Sequence, residues 1–257
     1  MGGGHSHAGG LHVHGHSVVH ELPAETKIVS TVLFVFAVVA TPRHAVWAFV
    51  LHACVIGAVL RVSGLRAGTV ARRLALETPF VAFAVFLPAV GTGERIHVLG
   101  VSLSVAGLWA AWNILVKGSL GVLAAIILAS TTTVRDLLVG LERLRMPSVI
   151  VQITSFMVRY GEVVSEEMRR MKVARQSRGH DPRWIWQARA VAASAGALFI
   201  RSYERGERVY LAMQSRGYEG TMPGNGTATS DAGQWWSAMV VPVAAACVCA
   251  MAWVVVK

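Results

Sequence analysis

The chain has 257 residues, of which 54% are hydrophobic and only 15% charged, and its mean hydropathy is +0.53. A soluble domain carries about 25% charge, so intrinsic disorder and a soluble nucleic-acid-binding domain are disfavoured and an integral membrane protein is expected. The net charge of +10, from 24 Lys and Arg against 14 Asp and Glu, then reads as basic residues gathered on the cytoplasmic side of a bilayer.

Residues 1–26 form a Gly- and His-rich tail without the basic and apolar regions of a cleaved signal peptide. Six of the ten histidines lie in its first twenty residues. His5, His7, His12, His14 and His16 are candidate ligands for cobalt, nickel or zinc, loosely spaced on a Gly-rich segment, so any site is weak and shared; a tail with no role is the plainer alternative. Apolar runs follow at Ile28–Thr41, Ala45–Leu60, Pro79–Val90, Val101–Ser130 and Trp235–Val256. A bilayer needs roughly 20 apolar residues, so the first three are short and must borrow flanking residues or tilt. The fourth would be about 45 Å long at 1.5 Å per residue and holds Lys117-Gly118 in its middle, which suggests a bent helix or two pieces.

Arg61, Arg66, Arg72 and Arg73 against Glu77 alone mark the connection between the second and third runs as inside. The turns at Pro42–His44 and Gly91–His97 read as outside. These signs put the N-terminus in the cytoplasm and give five crossings, about four of them within 27–131 and the last at 231–257. Between them, residues 132–230 hold most of the charge, and apolar positions recur there at helical spacing. Val134, Leu137, Leu138, Leu141 and Leu144 form one stripe, stopped by Pro147. Val149, Ile153, Phe156, Met157, Tyr160, Val164, Met168 and Met171 lie on a second, and Phe199, Tyr203, Tyr210 and Met213 on a third. Long amphipathic helices forming a cytoplasmic domain are expected. The fold class is therefore an all-α polytopic membrane protein with a domain of amphipathic helices. Arg201, Arg205 and Arg208 read as a solvated or headgroup-facing surface. His52 reads as a hydrogen-bonded membrane histidine. Cys54, Cys247 and Cys249, all in apolar stretches, suggest neither disulfides nor a metal cluster.

The amphipathic region contains a repeat. Glu166–Gly179 reads EEMRRMKVARQSRG and Glu204–Gly217 reads ERGERVYLAMQSRG, agreeing at seven of fourteen positions. Glu166, Arg170, Ala174 and Arg178, and likewise Glu204, Arg208, Ala212 and Arg216, recur every four residues along one slowly winding helical stripe. Glu four residues before Arg is the favourable ion-pair order. Ala174 and Ala212 leave shallow spots where another backbone can approach. Gly179 and Gly217 supply the left-handed residue that ends each helix. Each end thus presents a guanidinium, a fork suited to a partner's carboxylates or carbonyls. Two ordinary helix caps would look similar singly; their duplication suggests a partner that is itself duplicated.

At these residues the chain resembles the transmembrane (T) components of energy-coupling-factor importers, the EcfT/CbiQ family. That family has two Ala-Arg-Gly-type motifs at the ends of two coupling helices, one inserting into each of two ABC ATPase subunits. The matching residues are Ser177-Arg178-Gly179 and Ser215-Arg216-Gly217, with Ser in place of the usual Ala, so that each hydroxyl must find a partner. Ser17–Ile28 (SVVHELPAETKI), Ala129–Thr133 (ASTTT), Leu141–Pro147 (LERLRMP) and Arg159-Tyr160 are similar to further family segments. Phe199–Gly220 (FIRSYERGERVYLAMQSRGYEG) resembles the cobalt and nickel branch.

The resemblance implies a plasma-membrane scaffold that couples two ABC ATPases to a small substrate-binding S component, CbiM-like, for cobalt or nickel uptake. A T component serving vitamin S components is the alternative in the same class. The chain has no phosphate-loop motif and no HExxH, GxSxG or GxGxxG, so it is expected to be no enzyme and to hold no cofactor, with ATP-Mg bound by the partner subunits and no nucleic acid involved. A metal channel or carrier acting alone would instead need paired ionisable residues inside the membrane. The apolar runs offer only His52 and Lys117, with no carboxylate.

Overall fold

The computed structural model describes residues 17–91, 95–98, 101–179, 189–220 and 231–256. Ten α-helices lie among them: α1 (Val18–Glu21), α2 (Ala24–Ala40), α3 (Val46–Val62), α4 (Ala67–Leu74), α5 (Thr78–Val90), α6 (Val105–Thr131), α7 (Val134–Arg143), α8 (Ser148–Ser177), α9 (Arg189–Gln214) and α10 (Ala232–Val256). The described chain is all-α apart from one antiparallel hairpin, β1 (Arg95–Val98) with β2 (Val101–Ser104), Arg95 facing Ser104. The sequence reading made this region a turn followed by the start of the fourth run. The alternating Val-Ser-Leu-Ser favours a strand there.

Two compact units divide the chain, one of residues 11–140 with 228–257 and the other of 141–227. In the first, α10 packs against α2 and α3, and α6 against α2 and α5. Phe34, Val38, Phe49, Ile56, Leu120, Ala124, Ile127 and Ala245 form its core. Among the described residues two helices are long and apolar enough to cross a membrane, Val105–Thr131 and Ala232–Val255. A third span arises if α4 and α5, bent by 56° where they meet, count as one, and α3 is a shorter apolar helix.

The fourth apolar run does not break. α6 runs unbroken for 27 residues, with Ser104 as its N-cap accepting from Gly107 N at 3.3 Å. Gly118 is a contact point: a Cβ there would lie 2.9 Å from Glu77 Oε1. Glu77, 6% exposed, accepts a hydrogen bond from Ser119 Oγ at 3.0 Å. The connection after the second run thus carries a buried carboxylate against α6, which hydropathy alone assigned to a polar loop.

The two ionisable residues of the apolar runs are both engaged. His52 is fully buried, edge-on to Phe34 with ring centroids 6.0 Å apart, and its Nε2 lies 3.1 Å from Thr41 Oγ1. The single Thr41 hydroxyl proton goes to Ala37 O at 2.8 Å, so His52 donates through Nε2, and among the described residues its Nδ1 has no hydrogen-bond partner. Lys117 Nζ donates to Val39 O at 2.7 Å and lies 5.9 Å from the Phe49 ring centroid. Buried Lys27 donates to His20 O at 3.0 Å and Thr131 O at 3.1 Å, tying the start of α2 to the end of α6. α7 starts on a reciprocal cap, with Thr133 Oγ1 accepting from Asp136 N and donating to Asp136 Oδ2.

Candidate docking ends of two antiparallel helices

In the second unit α8 and α9 run antiparallel. Arg175 of α8 bonds Ser194 near the start of α9, Glu167 meets Arg201 and Arg205, and Gln152 near the start of α8 meets Tyr218 just beyond the end of α9. The partners step in opposite directions along the two helices. Only Val151 of α8 and Leu198 of α9 are buried, so polar bridges hold much of this pair. Glu167, its side chain 21% exposed, accepts from Arg201 at 3.1 Å and Arg205 at 3.5 Å. These two arginines therefore brace the helices, where the sequence reading made them part of a solvated face. Arg208 remains exposed.

The two repeats end their helices in the same way. Arg178 N donates to Arg175 O at 3.1 Å and Gly179 N to Gln176 O at 2.9 Å; Arg216 N donates to Met213 O at 3.0 Å and Gly217 N to Gln214 O at 2.9 Å. In the second copy Tyr218 N also donates to Met213 O at 3.1 Å, completing a Schellman end. Gly179 and Gly217 take φ of +75° and +83°, the left-handed region where a Cβ is disfavoured. The serine hydroxyls turn back onto their own helices, Ser177 Oγ to Val173 O and Ser215 Oγ to Ala212 O, both at 3.0 Å. The change from Ala to Ser thus adds no unsatisfied group.

Ala174, Ser177, Arg178 and Gly179 are exposed, as are Ala212, Ser215, Arg216 and Gly217. Among the described residues neither the Arg178 nor the Arg216 guanidinium takes a side-chain partner. The copies differ upstream. Glu166 accepts from Arg169 at 2.9 and 2.8 Å and from Arg170 at 3.2 Å, and these guanidinia, Arg169 first and Arg170 second, hold its carboxyl down at about 2. Among the described residues no ion pair joins Glu204 to Arg208. The shared stripe therefore places four side chains alike without building the same pairing twice.

Because α8 and α9 are antiparallel, the two Arg-Gly ends lie at opposite ends of the pair. From Gln152, which meets Tyr218, to Ser177 is about 40 Å of helix at 1.5 Å per residue. That exceeds the roughly 30 Å diameter of a small domain, leaving room for two domains side by side. Sequence reasoning missed Glu167, Gln152 and Tyr218. The only hints were the doubled Glu at 166–167 and an aromatic directly after Gly217. His5, His7, His12, His14 and His16 lie outside the described residues. Among the described residues no group of three or more His, Cys, Asp or Glu is placed to hold a metal ion.

A family model described as CbiQ, cobalt transport protein, matches residues 15–226. The cobalt transport protein CbiQ of Rhodobacter capsulatus is 31% identical over 124 residues, 48% of this chain and 50% of that protein. The putative fused cobalt transport protein CbiMQ of Methanocorpusculum labreanum is 29% identical over 145 residues, 54% of this chain and 24% of that protein. The energy-coupling factor transporter transmembrane protein EcfT of Thermanaerovibrio acidaminovorans is 31% identical over 228 residues, 82% of each chain. The chain thus spans half or less of the first two relatives and most of the third. With a model match that takes in both Arg-Gly helix ends and most of the apolar helices, this membrane protein belongs to the CbiQ family of cobalt transport proteins.

Proposed function

We propose that this chain is the transmembrane scaffold of an energy-coupling-factor importer, coupling ATP hydrolysis in two ABC ATPase subunits to uptake of cobalt or nickel. The observation that carries this reading is the pair of equivalent, exposed Arg-Gly helix ends at opposite ends of α8 and α9. Each guanidinium would dock on carboxylates or carbonyls of one ATPase subunit, beside the small Ala174 or Ala212. ATP-Mg belongs to those subunits, and this chain does no chemistry. Closure of the ATPase pair would move the two helix ends and pass that displacement into the membrane helices.

Cargo would be captured by a separate small membrane protein. A relative whose name joins CbiM and CbiQ in one chain supports a CbiM-like protein as that S component, and supports cobalt or nickel over vitamins. Five crossings are proposed, with the N-terminus and the α8–α9 domain cytoplasmic, following the arginines of the 61–73 connection. A histidine tail on that side would meet metal after transport. The engagement of His52 and Lys117 with hydroxyl and backbone groups weighs against a stand-alone channel built on those two residues.

The test is ATP-driven uptake in proteoliposomes holding this chain with its co-purifying partners. Radiolabelled cobalt or nickel should accumulate only with hydrolysable ATP. Accumulation without ATPase subunits would contradict the reading.

A further inference from the structure

The second helix end is fastened to the other helix. Tyr218 OH donates to Gln152 Oε1 at 2.5 Å, and Gln152 Nε2 donates to Gly220 O at 3.0 Å. One amide near the start of α8 thus grips both the residue after Gly217 and the backbone two residues further on. These bonds close the far end of a long, weakly packed stretch. Past Arg205, α9 faces α8 across an apolar groove of about 330 Å³ lined by Phe156, Tyr160, Tyr210, Met213 and Tyr218. A groove rather than a packed seam separates the helices there, so side-chain packing does not fix the direction of the last turns of α9. The first helix end has an analogous brace, Arg175 Nη1 to Ser194 Oγ at 2.7 Å, one turn before Arg178.

We propose that Gln152 and Tyr218 are positioning residues for Arg216, holding the end of α9 against the start of α8 so that load applied at Arg216 reaches α8. The proposal rests on the docking role assigned above to Arg216. Without the latch the Schellman turn still forms, because its bonds are local, but the whole end swings on the groove. Arg216 would then dock on a compliant arm, and ATPase movement would be absorbed before it reached α8. Binding and coupling should therefore separate. Neither Gln152 nor Tyr218 belongs to the docking stripe, so losing the latch should leave ATPase association largely intact.

The experiment uses the whole transporter complex with Tyr218→Phe, Gln152→Leu and Gln152→Glu, and with Arg216→Glu as a parallel control. The readouts are ATPase co-purification, thermal unfolding, amide hydrogen exchange over residues 211–220 and ATP-driven metal uptake. Tyr218→Phe and Gln152→Leu should keep the ATPases and the unfolding temperature, raise exchange over 211–220 and lower uptake at least several-fold. Gln152→Glu keeps the acceptor for Tyr218 and should recover much of the uptake. Unchanged uptake with raised exchange would make the latch merely structural and overturn the proposal. Lowered uptake with unchanged exchange would overturn it as well, since the residues would act some other way. If Arg216→Glu keeps both ATPases and uptake, the docking role itself is wrong and the latch falls with it. If that control loses its ATPases while the latch variants behave as wild type, the latch alone fails.

Discussion

Lys117 Nζ lies 2.7 Å from the carbonyl oxygen of Val39, the last residue but one of α2. It is one of four donors that between them take every orphan carbonyl of that helix end. Thr41 Oγ1 serves Ala37 O, Thr41 N serves Val38 O, Lys117 serves Val39 O, and Trp253 Nε1 serves Ala40 O at 3.0 Å. A cation at a helix C-terminus also complements the helix dipole. A lysine inside an apolar run thus has a structural use: α6 and α10 together cap α2.

Replacing Lys117 by Met should therefore cost stability and leave selectivity alone. A charged hydrogen bond of this kind contributes about 1.5–3 kcal/mol, read as a lower unfolding temperature of the detergent-solubilised protein. Uptake per folded molecule should be unchanged. A change of ion preference would mean that Lys117 lines a permeation route.

Arg145 is the described non-glycine residue with positive φ, at 63°. It ends α7 in the same way that the glycines end α8 and α9, with Arg145 N on Glu142 O at 3.0 Å and Met146 N on Leu141 O at 3.1 Å. A side chain in this region costs roughly 1–2 kcal/mol. Arg145→Gly should therefore raise the unfolding temperature, offset by the greater freedom of Gly in the unfolded chain. Gly179→Ala and Gly217→Ala should act in the opposite direction, each destabilising its helix end by about 1 kcal/mol, and should show locally in amide exchange.

The elements were largely legible in the sequence, because the apolar runs and the 3.6-residue stripes are strong signals. The two helix ends were legible because a duplicated Gln-Ser-Arg-Gly brings its own termination chemistry. What composition could not show is pairing between distant residues. Glu77 reads as a loop acid until α6 places Gly118 and Ser119 against it. Arg201 and Arg205 read as surface until Glu167 of the other helix reaches them. The 101–130 run read as a bent helix or two pieces because Lys117-Gly118 resembles a punctuation mark; one residue caps a neighbouring helix and the other admits a carboxylate.

The brace at Glu167 can be tested directly. Glu167→Gln removes the charge that draws Arg201 and Arg205 together, and should loosen α8 from α9. Because these arginines are partly exposed, the global cost should be small, about 1 kcal/mol or less. The sensitive readout is the distance distribution between spin labels on α8 and α9, which should broaden. An unchanged distribution would show that apolar contacts alone set the spacing.

Glu166 makes a pH prediction. Arg169 and Arg170 hold its carboxyl at about 2 in the folded chain, below the ordinary 4.5. Its pairing is therefore complete above the ordinary value and is lost only as pH falls through about 2. Side-chain carboxyl NMR of the labelled protein should show Glu166 still ionised at pH 4, where an unpaired glutamate is mostly protonated. Arg169→Ala should move its midpoint back towards the ordinary range.

The central claim is that Arg178 and Arg216 each dock an ATPase subunit. The most direct measurement is a detergent pull-down of the wild-type chain and of the Arg178→Glu, Arg216→Glu double variant from the native host, with co-purifying chains identified and counted by mass spectrometry. Two ABC ATPase copies and a small membrane protein should accompany the wild type, and the double variant should lose the ATPases while keeping its fold. A wild-type chain that purifies alone, or a double variant that keeps the same partners, would make the two Arg-Gly ends plain helix caps and contradict the account.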